Sequence, residues 1–147
     1  MTYLDTSALV KRFVSETGSS EVQSLLTKGE PVASATIAYA ELYSGLTRRH
    51  REGGLSQLQY RRACRHFERD WMAFIKVELG DEILSSARAL IQRHTLRAFD
   101  AIHLASALGL QAAANEPVTF MASDERLLRA ATGERLATIN PESARHR

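Results

Sequence analysis

The apolar positions of the chain follow two alternating rhythms. Short apolar runs at Met1–Leu4, 31–35, 75–78, 118–122 and 136–139 have the length of strands, and turn-forming residues such as Gly, Pro, Asn and Asp mark many of the breaks around them. Longer segments between them carry apolar residues at helical spacing. These predict helices over 8–13, 22–26, around Glu41, and over 55–74, 82–93, 97–114 and 124–131. The Gly53-Gly54 pair breaks the chain before the 55–74 helix, whose apolar positions include Leu58, Ala63, Phe67, Trp71 and Phe74. Strands alternating with helices predict an α/β fold with a mainly parallel sheet. The longest run without an acidic or basic residue other than His, Ala101 to Asn115, is too short to span a bilayer and reads as a buried helix. The tail NPESARHR has no apolar period and is expected to fray from position 141.

Composition narrows the class. The 147 residues suit a single domain, 1–147, able to bury roughly two-thirds of the surface its unfolded chain exposes. A hydrophobic content of 44% with 24% charged residues is ordinary for a globular protein and argues against disorder. The lone cysteine, Cys64, cannot form an intrachain disulfide and is expected to serve packing. The start MTYLDTSALVKRF has no signal-peptide pattern, so a cytoplasmic location is expected. Net charge is only +2, but seven arginines and two histidines lie between Arg48 and Arg69 against Glu52 and Glu68. This stripe, with Arg48, Arg49, Arg61, Arg62 and Arg65, is either a solvated helical face or a contact for a phosphate backbone.

The acidic residues carry the chemistry. In SATIAYAELYSGL, residues 34–46, Glu41 is the single charged side chain, and its helical neighbours Ile37, Ala38, Ser44 and Gly45 offer no cation. A carboxylate on such a helix is expected to be buried, which is costly unless something compensates its charge. In an open parallel sheet, ligands bind beyond the carboxyl ends of the strands. Asp5 and Asp124 stand there, each also placed to cap the helix that follows. Asp100 lies in the first turn of RAFDAIHLASALGL, where the helix dipole or Arg97 also accounts for it. If the four converge, they form an oxygen-only pocket suited to Mg²⁺ or Mn²⁺, and Glu41 faces the ion or its water shell. One cysteine and five scattered histidines make zinc a poor fit. His103 is expected to be partly buried and hydrogen-bonded to its surroundings.

Four blocks in order, YLDTSALVKRF, TIAYAELYSGL, RAFDAIHLASAL and FMASDERLLRAA, resemble the motifs of PIN-domain ribonucleases, specifically the VapC-type toxins of toxin–antitoxin pairs. The resemblance runs from Thr2 to about Pro141. It implies a PIN-like five-stranded parallel sheet flanked by helices, and hydrolysis of RNA phosphodiesters with one or two Mg²⁺ or Mn²⁺ ions and no side-chain nucleophile. Asp5 and Asp100 would touch metal directly, with Glu41 and Asp124 acting mainly through its waters. Thr6 and Ser7 would support Asp5 or the water, or else cap the first helix. Where many relatives carry Thr or Ser two residues before the last aspartate, this chain has Ala122, leaving Ser123 as the hydroxyl beside Asp124. The resemblance also implies a homodimer and a small antitoxin that inserts a basic residue into the acidic pocket; no membrane association is expected, since the longest uncharged run is too short to span a bilayer.

Two other readings compete. A haloacid dehalogenase-like phosphohydrolase also starts with Asp after its first strand, but wants a second Asp where this chain has Ser7. An inactive PIN-like module binding RNA or protein would usually have lost a carboxylate, and all four are present. No motif names the RNA.

Overall fold

The computed structural model describes residues 1–143. Its strands are β1 (Thr2–Leu4), β2 (Val32–Ala35), β3 (Ile75–Val77), β4 (Thr119–Met121) and β5 (Ala137–Ile139). The helices are α1 (Thr6–Leu9), continued by a 3₁₀ turn at Val10–Arg12, then α2 (Ser19–Leu26), α3 (Ile37–Arg51), α4 (Gln57–Ala73), α5 (Asp81–His94), α6 (Ala98–Ala114) and α7 (Glu125–Gly133). Every expected strand and helix is present. The strands form one sheet in the order β3-β2-β1-β4-β5, and all four pairings are parallel.

From β1 the chain steps outward to β2 and β3, then returns to the other side of β1 for β4 and β5. The direction of travel reverses between β1 and β4, the place where an open sheet leaves a crevice at its carboxyl edge. Helices cover both faces, so adjacent residues of one strand enter different cores. Tyr3 and Phe120 join one cluster, with Ala87, Leu90 and the α6 residues Ala101, Leu104 and Ala105. Leu4 and Met121 join the other, with Leu9, Leu42, Leu46 and Phe67. Burial on both faces explains why these strands read as apolar runs rather than alternations. In α6 every residue from Ala101 to Ala107 is buried, which fixes the height at which its polar members, Asp100 and His103, meet the sheet edge.

Two expectations are corrected. Leu58, counted among the apolar positions of α4, points outward and is 54% exposed; it lies in the first turn, ahead of the buried Ala63 and Phe67. The tail does not fray at 141: Pro141–Ser143 form a turn, Pro141 is buried, and Glu142 accepts a 3.1 Å hydrogen bond from Lys11 Nζ. Lys11 is only 5% exposed, so this carboxylate, with Glu16 at 3.9 Å, compensates a charge that would be costly to bury alone. Gly18 lets the two segments meet. It has φ +91°, and a Cβ there would stand 3.1 Å from Lys11 and 3.2 Å from Pro141. The rest of the expected tail, 144–147, lies outside the described residues. Among those residues no helix is long and apolar enough to cross a membrane.

Candidate active site

Four segments distant in sequence deliver one carboxylate each to a cleft of about 660 Å³ at the carboxyl edge of β1 and β4. Asp5 comes from the end of β1, Glu41 from the second turn of α3, Asp100 from the first turn of α6, and Asp124 from the residue before α7. Arg48, Arg49, Arg97, Phe99 and His103 line the same cleft.

Asp5 and Asp124 both cap helices, as their sequence positions suggest, yet capping uses only part of each group. Asp5 is 4% exposed. Its Oδ1 accepts from the Ala8 amide at 3.0 Å and the Ser7 hydroxyl at 2.6 Å. Asp124 Oδ1 accepts from the amides of Arg126 at 2.8 Å and Leu127 at 3.3 Å, while Oδ2 lies 3.6 Å from Arg97. Glu41 Oε1 likewise takes both of its bonds, from the Thr6 hydroxyl at 2.7 Å and from His103 Nε2 at 2.7 Å. In each case the fold holds one oxygen and leaves the other for the cleft.

Glu41 therefore differs from the sequence expectation in two respects. Its side chain is 25% exposed rather than buried, and it has a partner in His103, sixty-two positions further along the chain. Burial pushes the Glu41 carboxyl up, but the hydrogen bond and charge of His103, with the Thr6 hydroxyl, outweigh it and hold the group below its ordinary value. His103 is 2% exposed, and its Nδ1 lies 2.7 Å from the hydroxyl of the buried Tyr3. Nδ1 and the Tyr3 hydroxyl share that bond while Nε2 faces Glu41. Thr6 thus supports Glu41, Ser7 supports Asp5, and the first helix is capped by Asp5 rather than by either hydroxyl residue.

Ser7 also accepts a 3.0 Å bond from the Ser123 amide, tying the loop after β4 to the end of β1. The Ser123 hydroxyl, expected to assist Asp124, is buried without a hydrogen-bond partner. The support from this loop comes through its backbone instead.

At both carboxylates expected to touch metal, burial disfavours the charged form. Burial pushes Asp5 up, against the pull of His103, Ser7 and the Ala8 amide, and Asp100 adds to the rise. Burial also pushes Asp100 up; Arg97 opposes this and Asp124 adds to it. Arg97 spans the pair, 3.5 Å from Asp100 and 3.6 Å from Asp124, with its side chain 80% exposed. So open a contact is weak and easily exchanged. As arranged, no three His, Cys, Asp or Glu side chains among the described residues form a ready-made cation site. The donor chemistry suits a hard cation, but the pairing of Arg97 with Asp100 and Asp124 must open to admit one.

The basic stripe divides. Arg48 and Arg49 line the carboxylate cleft, although Arg49 also bonds the Gly45 carbonyl at 3.1 Å and lies 3.5 Å from Glu16. Arg61, Arg62 and Arg65 are exposed on α4. Arg62 and Arg65 line a separate groove with Tyr43, His66 and Arg69, away from all four carboxylates. Sequence reasoning treated Arg97 only as a partner of Asp100 and did not single out Phe99 or Tyr3. Cys64 sits beside the second core cluster, as expected.

Residues 2–133 match the PIN domain. This chain belongs to the PIN domain family. Among relatives of this PIN domain, ribonuclease VapC49 of Mycobacterium tuberculosis is 36% identical over 110 residues, covering 75% of this chain and 76% of the relative. Ribonuclease VapC47 of the same species is 30% identical over 149 residues, covering 99% and 100%. A toxin–antitoxin complex from Klebsiella pneumoniae contains a chain that superposes with a TM-score of 0.65 over 96% of this PIN domain and 98% of its own length, at 19% identity. That last likeness supports the fold.

Proposed function

We propose that this PIN domain is a divalent-metal-dependent endoribonuclease and the toxin of a toxin–antitoxin pair. The observation that carries the reading is the convergence of Asp5, Glu41, Asp100 and Asp124 on one cleft at the switch point of the sheet. The names of the VapC ribonucleases support the same chemistry.

Asp5 and Asp100 would hold Mg²⁺ or Mn²⁺ directly, with Glu41 and Asp124 acting mainly through its waters. When bound, such an ion lowers the pKa of an attacking water and offsets charge on the phosphate oxygens. The chain supplies the rest. Ser7 and the Ala8 amide fix Asp5, while His103 and Thr6 fix Glu41. Arg97, displaced from Asp100 and Asp124, is placed to meet phosphate, as are Arg48 and Arg49. The Ser7 and Thr6 hydroxyls are both committed to carboxylates, which suits a mechanism without a side-chain nucleophile.

The partner reading follows from Arg97. A guanidinium already lies across Asp100 and Asp124, so an arginine from another protein can take the same place. The inhibitor is a small antitoxin whose apolar anchors lie along α3, where a groove lined by Tyr43, Ser44, Thr47 and Arg48 adjoins the cleft. The active form is a homodimer working where RNA is found, in the cytoplasm.

Incubation of the purified chain with total RNA tests the reading. Cleavage with Mn²⁺ or Mg²⁺ that stops in EDTA and is lost in Asp100→Asn is expected, and sequencing the new 5′ ends names the target. Turnover of small phosphomonoesters without RNA cleavage would make it a phosphohydrolase. RNA binding without cleavage in either metal would make it a binding module.

A further inference from the structure

Phe99 is the one phenylalanine of five that the fold does not use. Phe13, Phe67, Phe74 and Phe120 each pack against another ring. Phe99 makes no ring–ring contact among the described residues, belongs to neither core cluster, and is 56% exposed. A single exposed apolar side chain needs no special account. This one, however, lines the carboxylate cleft, immediately before Asp100 and two residues after Arg97.

Its isolation there indicates what it would bind. The other large exposed apolar side chains, Tyr39, Leu58, Met72, Ile75, Leu79, Leu84 and Ile91, lie outside the cleft; of the apolar residues that share it, Val10 and Leu42 are buried and the exposed Ala40 offers only a methyl group. A protein segment docks through several neighbouring anchors, whereas one ring face among guanidinium groups matches one flat base joined to a phosphate. The three arginines of the cleft, Arg48, Arg49 and Arg97, supply the phosphate side of that match.

We propose that Phe99 is a specificity-determining stacking platform for a nucleobase next to the scissile phosphate. The inference rests on the ribonuclease reading and deepens it. Only a base free of its duplex stack can lie on the ring, so the cleft selects single-stranded or looped RNA and rejects continuous duplex.

The test is a titration, in EDTA so that no cleavage competes, of a short single-stranded RNA carrying one 2-aminopurine. Wild type quenches the probe on binding. Phe99→Ala and Phe99→Leu bind about tenfold or more weakly and lose the quenching, while Phe99→Trp keeps both. Thermal midpoints stay within about 2 °C of wild type, because the ring joins neither core. Wild-type binding and quenching by Phe99→Ala, or by Phe99→Leu, would overturn the stacking role and leave ribonuclease activity standing. So would a Phe99→Ala chain that keeps RNA but loses a co-expressed protein partner. Wild type that neither binds nor cleaves RNA would remove the ribonuclease reading itself.

Discussion

Replacing His103 with leucine tests the chain of contacts that runs from the core to Glu41. The substitution keeps most of the buried volume but removes both ring nitrogens. On one side it strands the Tyr3 hydroxyl, which is fully buried; an unpaired buried hydroxyl costs about 1–3 kcal/mol. The nearby hydroxyls of Ser106 and Ser34 offer that group replacement partners, which would recover part of the loss. On the other side Glu41 loses its 2.7 Å partner but keeps Thr6 and, being 25% exposed, some water; we allow about 1 kcal/mol. The sum is about 2–3 kcal/mol, or a fall of roughly 4–12 °C in Tm for a chain of this size. Urea unfolding followed by circular dichroism in EDTA measures it, with an unchanged m-value as the check on mechanism. The distinguishing result is the double variant. Adding Tyr3→Phe removes the stranded hydroxyl while keeping a ring to stack on Phe120 at 5.5 Å, so Tyr3→Phe/His103→Leu should be more stable than His103→Leu alone. If the second substitution brings no recovery, the Tyr3–His103 bond carries no stability and His103 holds Glu41 without an anchor in the core.

Two further outcomes follow from the cleft. Because the native Asp5 carboxyl is raised, the folded chain holds a proton that the unfolded chain releases above about 3.8, and stability is lost as pH climbs through the native value. Asp5→Asn keeps an acceptor for Ser7 and Ala8, so it should gain on wild type across that window and stay ahead at pH 7 in EDTA while losing RNA cleavage; a stability difference that ignores pH would contradict this. Neutralising Arg48 and Arg49 together should flatten the dependence of single-stranded RNA affinity on salt by about 1.4 in log–log slope if each meets one phosphate. Neutralising Arg61, Arg62 and Arg65 on α4 should lower it less, and an equal or larger drop would move the RNA path onto that helix.

The fold was legible because the inner strands of its sheet are buried on both faces. Apolar runs such as VTFMA and the uncharged helix after Asp100 announce themselves without tertiary information. The gathering of the carboxylates was legible for a related reason: Asp5 and Asp124 follow strands that lie side by side, with Leu4 opposite Met121. What could not be read was the partner of Glu41. Helical neighbours at three and four positions are visible in sequence, whereas His103 reaches it across the sheet edge from another helix. The roles of Thr6 and Ser7 were hidden likewise, since adjacent residues on a short first helix turn to different carboxylates. The stripe from Arg48 to Arg69 read as one surface because sequence cannot show that α3 and α4 present their arginines to different grooves.

The central place of β1 in the sheet also sets when the candidate site is assembled during synthesis. Strand β1 must wait for β4, at 119–121, to pair along its second edge, and the fourth carboxylate, Asp124, follows later still. A ribonuclease of the kind proposed would itself be translated from RNA. With its candidate site divided among residues 5, 41, 100 and 124, a growing or prematurely terminated chain would carry an incomplete nuclease until the last of these carboxylates is made.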